Sequence, residues 1–324
     1  DNLEPLLRKA SGFAFYNTSK YTFDRLLSDH TNLATNLRNY INGFSDNMRT
    51  VFEKFEFDGT LTKLDSGNLL YQVIEKFNSV DMSPKHLSNH DMGYVFEELI
   101  RKFNESLDEN PGEHYTPREI IRLMTSLMLA GDDSILSKKN IVRTVYDPCC
   151  GTGGMLTITQ EKIKELNPSA DIHIFGQEVN PETWAVTMSD MLITNPTGRD
   201  ADNIAEGSVL SEDAHSDKRF DYQIANPPYG KDWKRDQSYV KNETELGYGG
   251  RFGAGTPRVS DGQLLFLQHM LNRMKKPNEG GGRISIVMNG SPLFTGDAGG
   301  GESEIRRWIL ENDWLEALIE LPGQ

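Results

Sequence analysis

The sequence predicts an α/β fold, a doubly wound and mostly parallel sheet preceded by an α-helical N-terminal domain. Three observations predict it. From about residue 140 onward, short runs rich in β-branched residues alternate with amphipathic segments, the pattern of strands joined by crossover helices. Residues 1–110 show only helical periodicity. Between the two, "ENPGEHYTPREII" (109–121) interrupts both patterns. The expected division is therefore 1–110 for the helical domain and 111–324 for the α/β domain.

Taken in order, Leu33, Leu37, Tyr40, Ile41 and Phe44 share one helical face. Leu69, Leu70, Val73, Ile74 and Phe77 share a second, and Val95, Phe96, Leu99, Ile100 and Phe103 a third, with an N-cap candidate in "NHDMG" at 89–93. Asn110, Pro111 and Gly112 form a turn. Thr116 is then placed to cap a helix, with Pro117 at its first position and Glu119 at its third, a capping box with a proline start. Ile120, Ile121, Met124, Leu127 and Met128 would be that helix's buried face. "NIVRTVYD" reads as a strand, "MLTITQEKIKEL" as a helix, "DIHIFGQEVN" as a strand, "PETWAVTMSDMLIT" as a helix and "FDYQIAN" as a strand. A helix from "DGQLLFLQHMLNRM", a strand "GRISIVMN", a helix "SEIRRWILEN" and a final strand "WLEALIEL" complete the series. The glycine-dense stretches 247–262 and 295–304 read as mobile loops.

With 37% hydrophobic and 25% charged residues, the chain has material for a buried core. No apolar run approaches the roughly 20 residues of a membrane span, and the first residues lack a signal peptide's basic, apolar and small-residue regions, so a cytoplasmic protein without membrane contact is expected. The two cysteines, Cys149 and Cys150, are adjacent, which gives no disulfide framework, and metal-ligand spacing is absent. The net charge of −14 opposes binding of DNA by the chain alone, because lysine and arginine supply most non-specific affinity for phosphates. A nucleic-acid role therefore requires a local basic strip or a basic partner.

The first strand ends in "DPCCGTGGM" (147–155), with Asp147 at its carboxyl end and Gly151, Gly153 and Gly154 in the turn that opens the next helix. The turn lacks the third glycine of a dinucleotide fingerprint, since position 156 is Leu156, and it lacks the Gly-Lys-Ser/Thr of a phosphate-binding loop. An acid followed by glycines suits a cationic ligand instead. S-adenosylmethionine, with a sulfonium and an amino group, is such a ligand. Glu178, at the tip of the second strand and 31 positions later (178 − 147), is suited to accept hydrogen bonds from ribose hydroxyls. The helix start at 116 offers N–H groups and a positive dipole end to a carboxylate.

"DYQIANPPYG" (221–230) is a strand followed by two prolines, which places Asn226 at the sheet's carboxyl edge, where open α/β sheets bind ligands. The side-chain oxygen of Asn226 and the carbonyl of Pro227 are two acceptors able to hold an amino group. Tyr229 is placed to stack on a planar ring. Two acceptors on a conjugated amine favour a pyramidal nitrogen with an available lone pair. A base handled in this way must leave its duplex.

These motifs resemble those of the amino-methyltransferases of DNA: "DPCCGTGG" their cofactor motif, "NPPYG" their catalytic motif, and "GEHYTPRE" the motif that precedes both in one circular order of the fold. With helices ahead of "HYTPRE", the chain is similar to the modification subunits of type I restriction–modification systems, over nearly its whole length. The resemblance implies a Rossmann-like methyltransferase sheet lacking its C-terminal strand or strands. It implies cofactor contacts from His114, Tyr115, Thr116, Asp147, Gly151, Gly153 and Glu178, and base handling by Asn226, Pro227 and Tyr229. It implies N6 of adenine in double-stranded DNA as the target. The implied partners are a DNA-specificity subunit, a restriction (motor/nuclease) subunit and a second copy of the modification subunit. "GKDWKR" (230–235), which joins Lys231, Lys234 and Arg235 to Trp233, is a candidate DNA-facing run. One departure concerns the cofactor's adenine: Ser208, in "EGSVL", stands where the family often has an acid. Two other functions fit the same residues: methylation of another planar amine (protein glutamine or cytosine N4), and a non-catalytic scaffold that docks a DNA-reading partner.

Overall fold

The protein is represented by a computed structural model that describes residues 3–83, 86–87, 95, 98, 102, 116–132, 134, 137–195 and 197–321. The chain falls into two compact units. One comprises Asp1–Tyr115, Gly151–Gly153 and Glu178–Glu206; the other comprises Thr116–Cys150, Gly154–Gln177 and Gly207–Gln324.

The first unit carries the N-terminal helices α1 (Glu4–Ser11), α2 (Phe23–Leu27), α3 (Leu33–Asn42), α4 (Asp46–Lys54), α5 (Phe57–Ser66) and α6 (Leu70–Asn78). Leu26, Leu33, Leu37, Leu61, Leu70 and Ile74 form its core, with Tyr40 and Ile41 packed against them, so the first expected helical face is buried as its spacing requires. Phe44 lies beyond the end of α3 and packs its ring on Tyr40 and Phe52. On the second face Leu69 precedes α6 and is exposed, as is Phe77, leaving Leu70 and Ile74 as the buried pair. The third face lies outside the described residues except for Val95, which is exposed, as does the cap at 89–93. Asn110, Pro111 and Gly112 also lie outside them.

The same unit holds α9 (Pro181–Thr194) and the short β3 (Ile204–Glu206). Asn180 caps α9 by accepting from the Thr183 N–H at 3.0 Å, and Pro181 pre-sets the first helical φ. Helix α4 packs along α9, and Lys54 pairs with Glu206 at 2.6 Å.

The second unit is built on β1 (Val142–Asp147), β2 (Asp171–Glu178), β4 (Tyr222–Ala225) and β5 (Arg283–Ile286), in the spatial order β2-β1-β4-β5 with parallel pairs throughout. The chain moves outward from β1 to β2 on one side, then returns to build β4 and β5 on the other. The order therefore reverses between β1 and β4, and a crevice opens outside the carboxyl ends of strands at such a reversal. Flanking helices are α7 (Arg118–Leu129), α8 (Gly154–Leu166), α10 (Gln237–Thr244), α11 (Gln263–Arg273) and α12 (Gly301–Glu311). Helices α7 and α8 pack on each other, joined by a buried hydrogen bond between the Thr125 and Thr159 hydroxyls at 3.0 Å. No helix among the described residues is long and apolar enough to cross a membrane.

Four expectations are corrected. The capping box at Thr116 does not form: Pro117 itself is the N-cap of α7, with an extended ψ of 138°, and no side-chain cap bond forms among the described residues. Thr116 stands one residue too far out. The buried face of α7 is rotated toward Ile121, Met124, Thr125, Met128 and Leu129, while Leu127 is 42% exposed. "WLEALIEL" forms no strand: residues 314–320 are exposed, and Glu316 is paired through its side chain with Arg283 of β5. Of the glycine-dense stretches, 247–262 is packed by charged and aromatic anchors, whereas 296–299 is exposed. Phe252 is fully buried, and Glu302 accepts from the backbone N–H and Nε of Arg258 at 2.9 and 3.0 Å. Arg306 donates to the carbonyls of Pro292 and Thr295.

Arg251 is the main anchor of the first of these stretches. It forks onto both carboxylate oxygens of Glu243 (2.9 and 2.7 Å) and donates to the carbonyls of Val209 and Leu210. It also faces Nδ1 of His269 at 3.2 Å. Since a guanidinium only donates, Nδ1 is the imidazole acceptor, and Nε2–H is left to donate to the Tyr146 hydroxyl at 2.9 Å. Burial, with the charges of Arg251 and Arg273, holds His269 well below its ordinary pKa; burial first, then Asp213, raises Tyr146. This neutral chain ties the loop to β1 one residue before Asp147.

Burial works against ionisation of Glu243, but the hydrogen bonds and charge of Arg251 prevail and lower its pKa. A depressed folded-state pKa stabilises the protein above the unfolded carboxylate value, and that contribution is lost as pH falls through the folded value. Thermal unfolding followed from pH 7 downward is expected to show a falling midpoint below about pH 4.3. In Glu243→Gln the midpoint is expected to be lower at neutral pH and its slope with pH flatter; an unchanged slope would contradict this reading.

Candidate functional site

In the second unit, Asp147 ends β1 and Asn226 immediately follows β4. The register pairs Tyr146 with Gln223, so Asp147 lies level with Ile224, two residues short of Asn226. Ordinary strand spacing and rise then put the two Cα atoms about 8 Å apart, at the same edge of the sheet. Asp147 is 1% exposed, and its Oδ1 accepts from the Cys149 N–H at 3.0 Å, which bends the chain into the glycine turn. The Cys150 N–H then donates to the Gln177 carbonyl at 3.0 Å, fastening the turn's entry to the end of β2.

The first unit holds the turn's glycines and Glu178. Gly151 and Gly153 take φ of +53° and +80°, a region costly for residues with a Cβ. Gly153 also faces α9 closely, where a Cβ would meet Thr187 Cγ2 at 3.0 Å, whereas a Cβ on Gly151 would meet nothing within 4 Å. Thr187 donates to the Gly151 carbonyl at 2.5 Å. Glu178 is buried, with Oε2 accepting from the Gly151 N–H at 2.9 Å and Oε1 from the Asn180 N–H at 2.7 Å. These two bonds fix the carboxylate at the tip of β2.

The amide of Asn226 is held from two sides. Its Nδ2 donates to Thr116 Oγ1 at 2.9 Å, and its Oδ1 accepts from the Tyr229 hydroxyl. Burial, then the neighbouring Cys149, pushes the Tyr229 hydroxyl up to about 12, so it keeps its proton at neutral pH and can donate to Oδ1. Pro227 is buried and Tyr229 half-buried. His114 and Tyr115 lie outside the described residues.

Trp233 departs from the DNA-facing expectation. It is 4% exposed, belongs to a cluster with Val209, Leu210, Val240 and Phe252, and donates its indole N–H to the Arg258 carbonyl at 2.9 Å. Lys231, Lys234 and Arg235 are exposed around it. At Ser208 the backbone carbonyl accepts from the N–H groups of Ser211 and Glu212, at 3.2 and 2.9 Å.

Two contributors escaped sequence reasoning. Gln177, 1% exposed, donates to the carbonyls of Gly207 and Glu212 and accepts from the Ala214 N–H, bracing the loop after residue 206 against β2. Its only signal was an amide inside an otherwise buried strand. The link from Thr116 to Asn226 spans 110 positions and left no local signal.

The family described as N-6 DNA Methylase matches residues 87–324, and the HsdM N-terminal domain matches residues 1–77. Among curated proteins, the type I restriction enzyme HindI methylase subunit of Haemophilus influenzae is 29% identical over 74% of this chain and 49% of its own length. The MjaIX methylase subunit of Methanocaldococcus jannaschii is 26% identical over 86% of this chain and 46% of its own. The chain thus spans about half the length of these relatives. Among solved structures, a type I restriction–modification methyltransferase subunit from Streptococcus thermophilus superimposes with a TM-score of 0.65 at 22% identity, over 90% of this chain and 59% of that one. A putative class I S-adenosylmethionine-dependent methyltransferase from Listeria monocytogenes does so with a TM-score of 0.54 at 16% identity, over 89% and 79%.

Proposed function

Because this chain belongs to the N-6 DNA methylase family, we propose that it methylates N6 of an adenine drawn out of the DNA duplex, using S-adenosylmethionine, as the modification subunit of a type I restriction–modification assembly. The observation that carries this reading is the placement of Asp147 and Asn226 at the carboxyl ends of neighbouring parallel strands, on either side of the reversal in strand order. The Asn226 amide oxygen is presented there as an acceptor.

The residues fit the cofactor chemically. Asp147 and Glu178 are buried carboxylates at strand tips, and Gly151 leaves open space where a side chain would stand. Asp147 would pair with the amino group, the Gly151 and Gly153 backbone would lie against the ligand, and Glu178 would accept from the ribose hydroxyls. His114, Tyr115 and the backbone, not the side chain, of Thr116 complete the proposed contacts. When bound, the cofactor supplies an electrophilic methyl group on sulfonium.

The chain's own residues act on the amine. Asn226 Oδ1 and the Pro227 carbonyl accept its two hydrogens, weakening conjugation with the ring and directing the nitrogen lone pair outward. The Tyr229 ring stacks on the base. Its hydroxyl must first give up Asn226 Oδ1, which the amine then occupies. The extra proton left on nitrogen after transfer is lost to solvent water as the methylated amine leaves Oδ1 and the Pro227 carbonyl. Alignment of the two reacting atoms, rather than a nucleophilic side chain, supplies the rate.

The helical region 1–110 is proposed as the docking part and 111–324 as the methyltransferase domain. With a net charge of −14, sequence choice and most phosphate contacts would fall to a DNA-specificity subunit, with a restriction subunit and a second modification subunit completing a cytoplasmic assembly. Lys231, Lys234 and Arg235, exposed just after Tyr229, would add local contacts.

The direct test is incorporation of labelled methyl into duplex DNA by the full-length protein, with and without the specificity subunit encoded beside it. Incorporation that depends on that subunit is expected; label in a peptide amide instead would transfer the reading to another amine. In the same assay Tyr229→Ala is expected to weaken productive DNA binding by about 1–3 kcal/mol through lost stacking, with cofactor affinity unchanged. Tyr229→Phe keeps the ring and removes the hydroxyl that competes for Asn226 Oδ1, so it is expected to match or exceed the parent protein in apparent DNA affinity.

A further inference from the structure

Thr116, expected from sequence to cap a helix or hold the cofactor, has its hydroxyl committed elsewhere. Helix α7 begins behind Pro117, which is its N-cap with φ −53° and ψ 138°, and no side-chain cap bond forms among the described residues. The residue before a proline is itself biased to extended backbone, so Thr116 is held clear of the helical path. Its Oγ1 instead receives Nδ2 of Asn226 at 2.9 Å.

We propose that Thr116 is a positioning residue that holds the Asn226 amide in place for the transfer step. This rests on the function proposed above. Only the amide oxygen of Asn226 can accept from an incoming amine, so the side chain must be held with Oδ1 toward the base. In the free protein Tyr229 donates to Oδ1 and Thr116 accepts from Nδ2. They differ in what happens when a base enters. The amine takes the Tyr229 hydroxyl's place on Oδ1, so that contact is lost at the moment of reaction. The bond to Thr116 is on the opposite end of the amide and persists. Once the amine occupies Oδ1, the Thr116 oxygen accepting from Nδ2 keeps the amide aligned throughout the transfer step.

The test uses the full-length protein assembled with its specificity subunit, comparing Thr116→Val, Thr116→Ala and Thr116→Ser with the parent. Measured are kcat and KM for DNA methylation, cofactor dissociation constant by calorimetry, and the melting temperature. Thr116→Val keeps the shape and loses the hydroxyl; kcat is expected to fall about 10- to 100-fold, the scale of one hydrogen bond lost from a part-buried polar group at the reacting centre. Cofactor affinity should stay within about twofold of the parent, a shift of under half a kcal/mol. Thr116→Ser is expected to restore kcat to near the parent value. A raised cofactor dissociation constant with kcat retained would make Thr116 a cofactor ligand and overturn the inference, as would unchanged kcat in Thr116→Val. If Thr116→Val fails to fold, Thr116→Ala and Thr116→Ser carry the comparison, and loss of kcat in the hydroxyl-bearing serine variant overturns it. A parent protein that transfers no methyl group to DNA would instead overturn the function on which the inference rests.

Discussion

Asn226→Ala is expected to lower kcat for DNA methylation by at least about 10²- to 10³-fold, the scale seen when one pre-organised polar group is removed from a reacting centre. Cofactor affinity should be unchanged, because the residue sits on the tip of β4 and the proposed cofactor contacts on β1 lie across the strand reversal. The loss follows from the electronic state of the target. An adenine amine is conjugated and a poor nucleophile until acceptors draw on its hydrogens, and alanine removes one of the two. Thr116 Oγ1 and the Tyr229 hydroxyl both lose their partner, but both stand in a site that water reaches, so folding stability should change little. Calorimetry and single-turnover methylation on the same preparation would separate the two quantities. A variant that binds cofactor and no longer methylates also excludes the non-catalytic scaffold.

The second large effect is on stability. Arg251→Ala is expected to cost about 3–5 kcal/mol, the scale of a buried ion pair broken from one side. The guanidinium is 7% exposed as a side chain and satisfies both oxygens of Glu243 and the carbonyls of Val209 and Leu210. Its removal strips the charge partner from a half-buried carboxylate, which retains the residue-251 backbone N–H, leaves two carbonyls without the guanidinium, and releases the loop that carries Phe252 into its cluster. Arg251→Lys should recover only part of this, since an ammonium cannot fork onto a carboxylate and reach two carbonyls at once. Urea unfolding monitored by tryptophan fluorescence gives the measurement; a loss below about 1 kcal/mol would place the pair among ordinary surface bridges.

The strand and helix order from 140 to 311 was legible because period-2 and period-3.6 patterns report burial directly, and four of the strands and α8, α9, α11 and α12 lie where those patterns put them. Strand β3 was missed: three residues are too few to show a period. The strand expected at "WLEALIEL" failed for the converse reason, since an apolar alternating run becomes a strand only where its backbone pairs. Glycine content misled at 247–262, where one arginine with a bidentate carboxylate partner outweighs the backbone freedom of its neighbours.

At the site, residues at strand ends were readable, because a strand followed by "NPPY" or "CCGTGG" fixes its own terminus. Asp147, Gly151, Gly153, Glu178 and Asn226 stand at the strand ends and in the turn where the sequence put them. What the sequence concealed was the use of side chains across long separations. Thr116 gives its hydroxyl to Asn226 rather than to its own helix, Trp233 turns inward rather than toward nucleic acid, and Gln177 braces the loop after residue 206. None of these depends on a local pattern, so no spacing rule would have found them.

In the proposed reaction the Asn226 edge of the sheet grips the exocyclic amine of adenine. The most direct measurement is nucleoside analysis by mass spectrometry of DNA methylated with isotopically labelled S-adenosylmethionine by the full-length protein and its specificity subunit. Label is expected in N6-methyladenine, in the parent protein and not in Asn226→Ala. Label in N4-methylcytosine, or equal N6-methyladenine from Asn226→Ala, would contradict it.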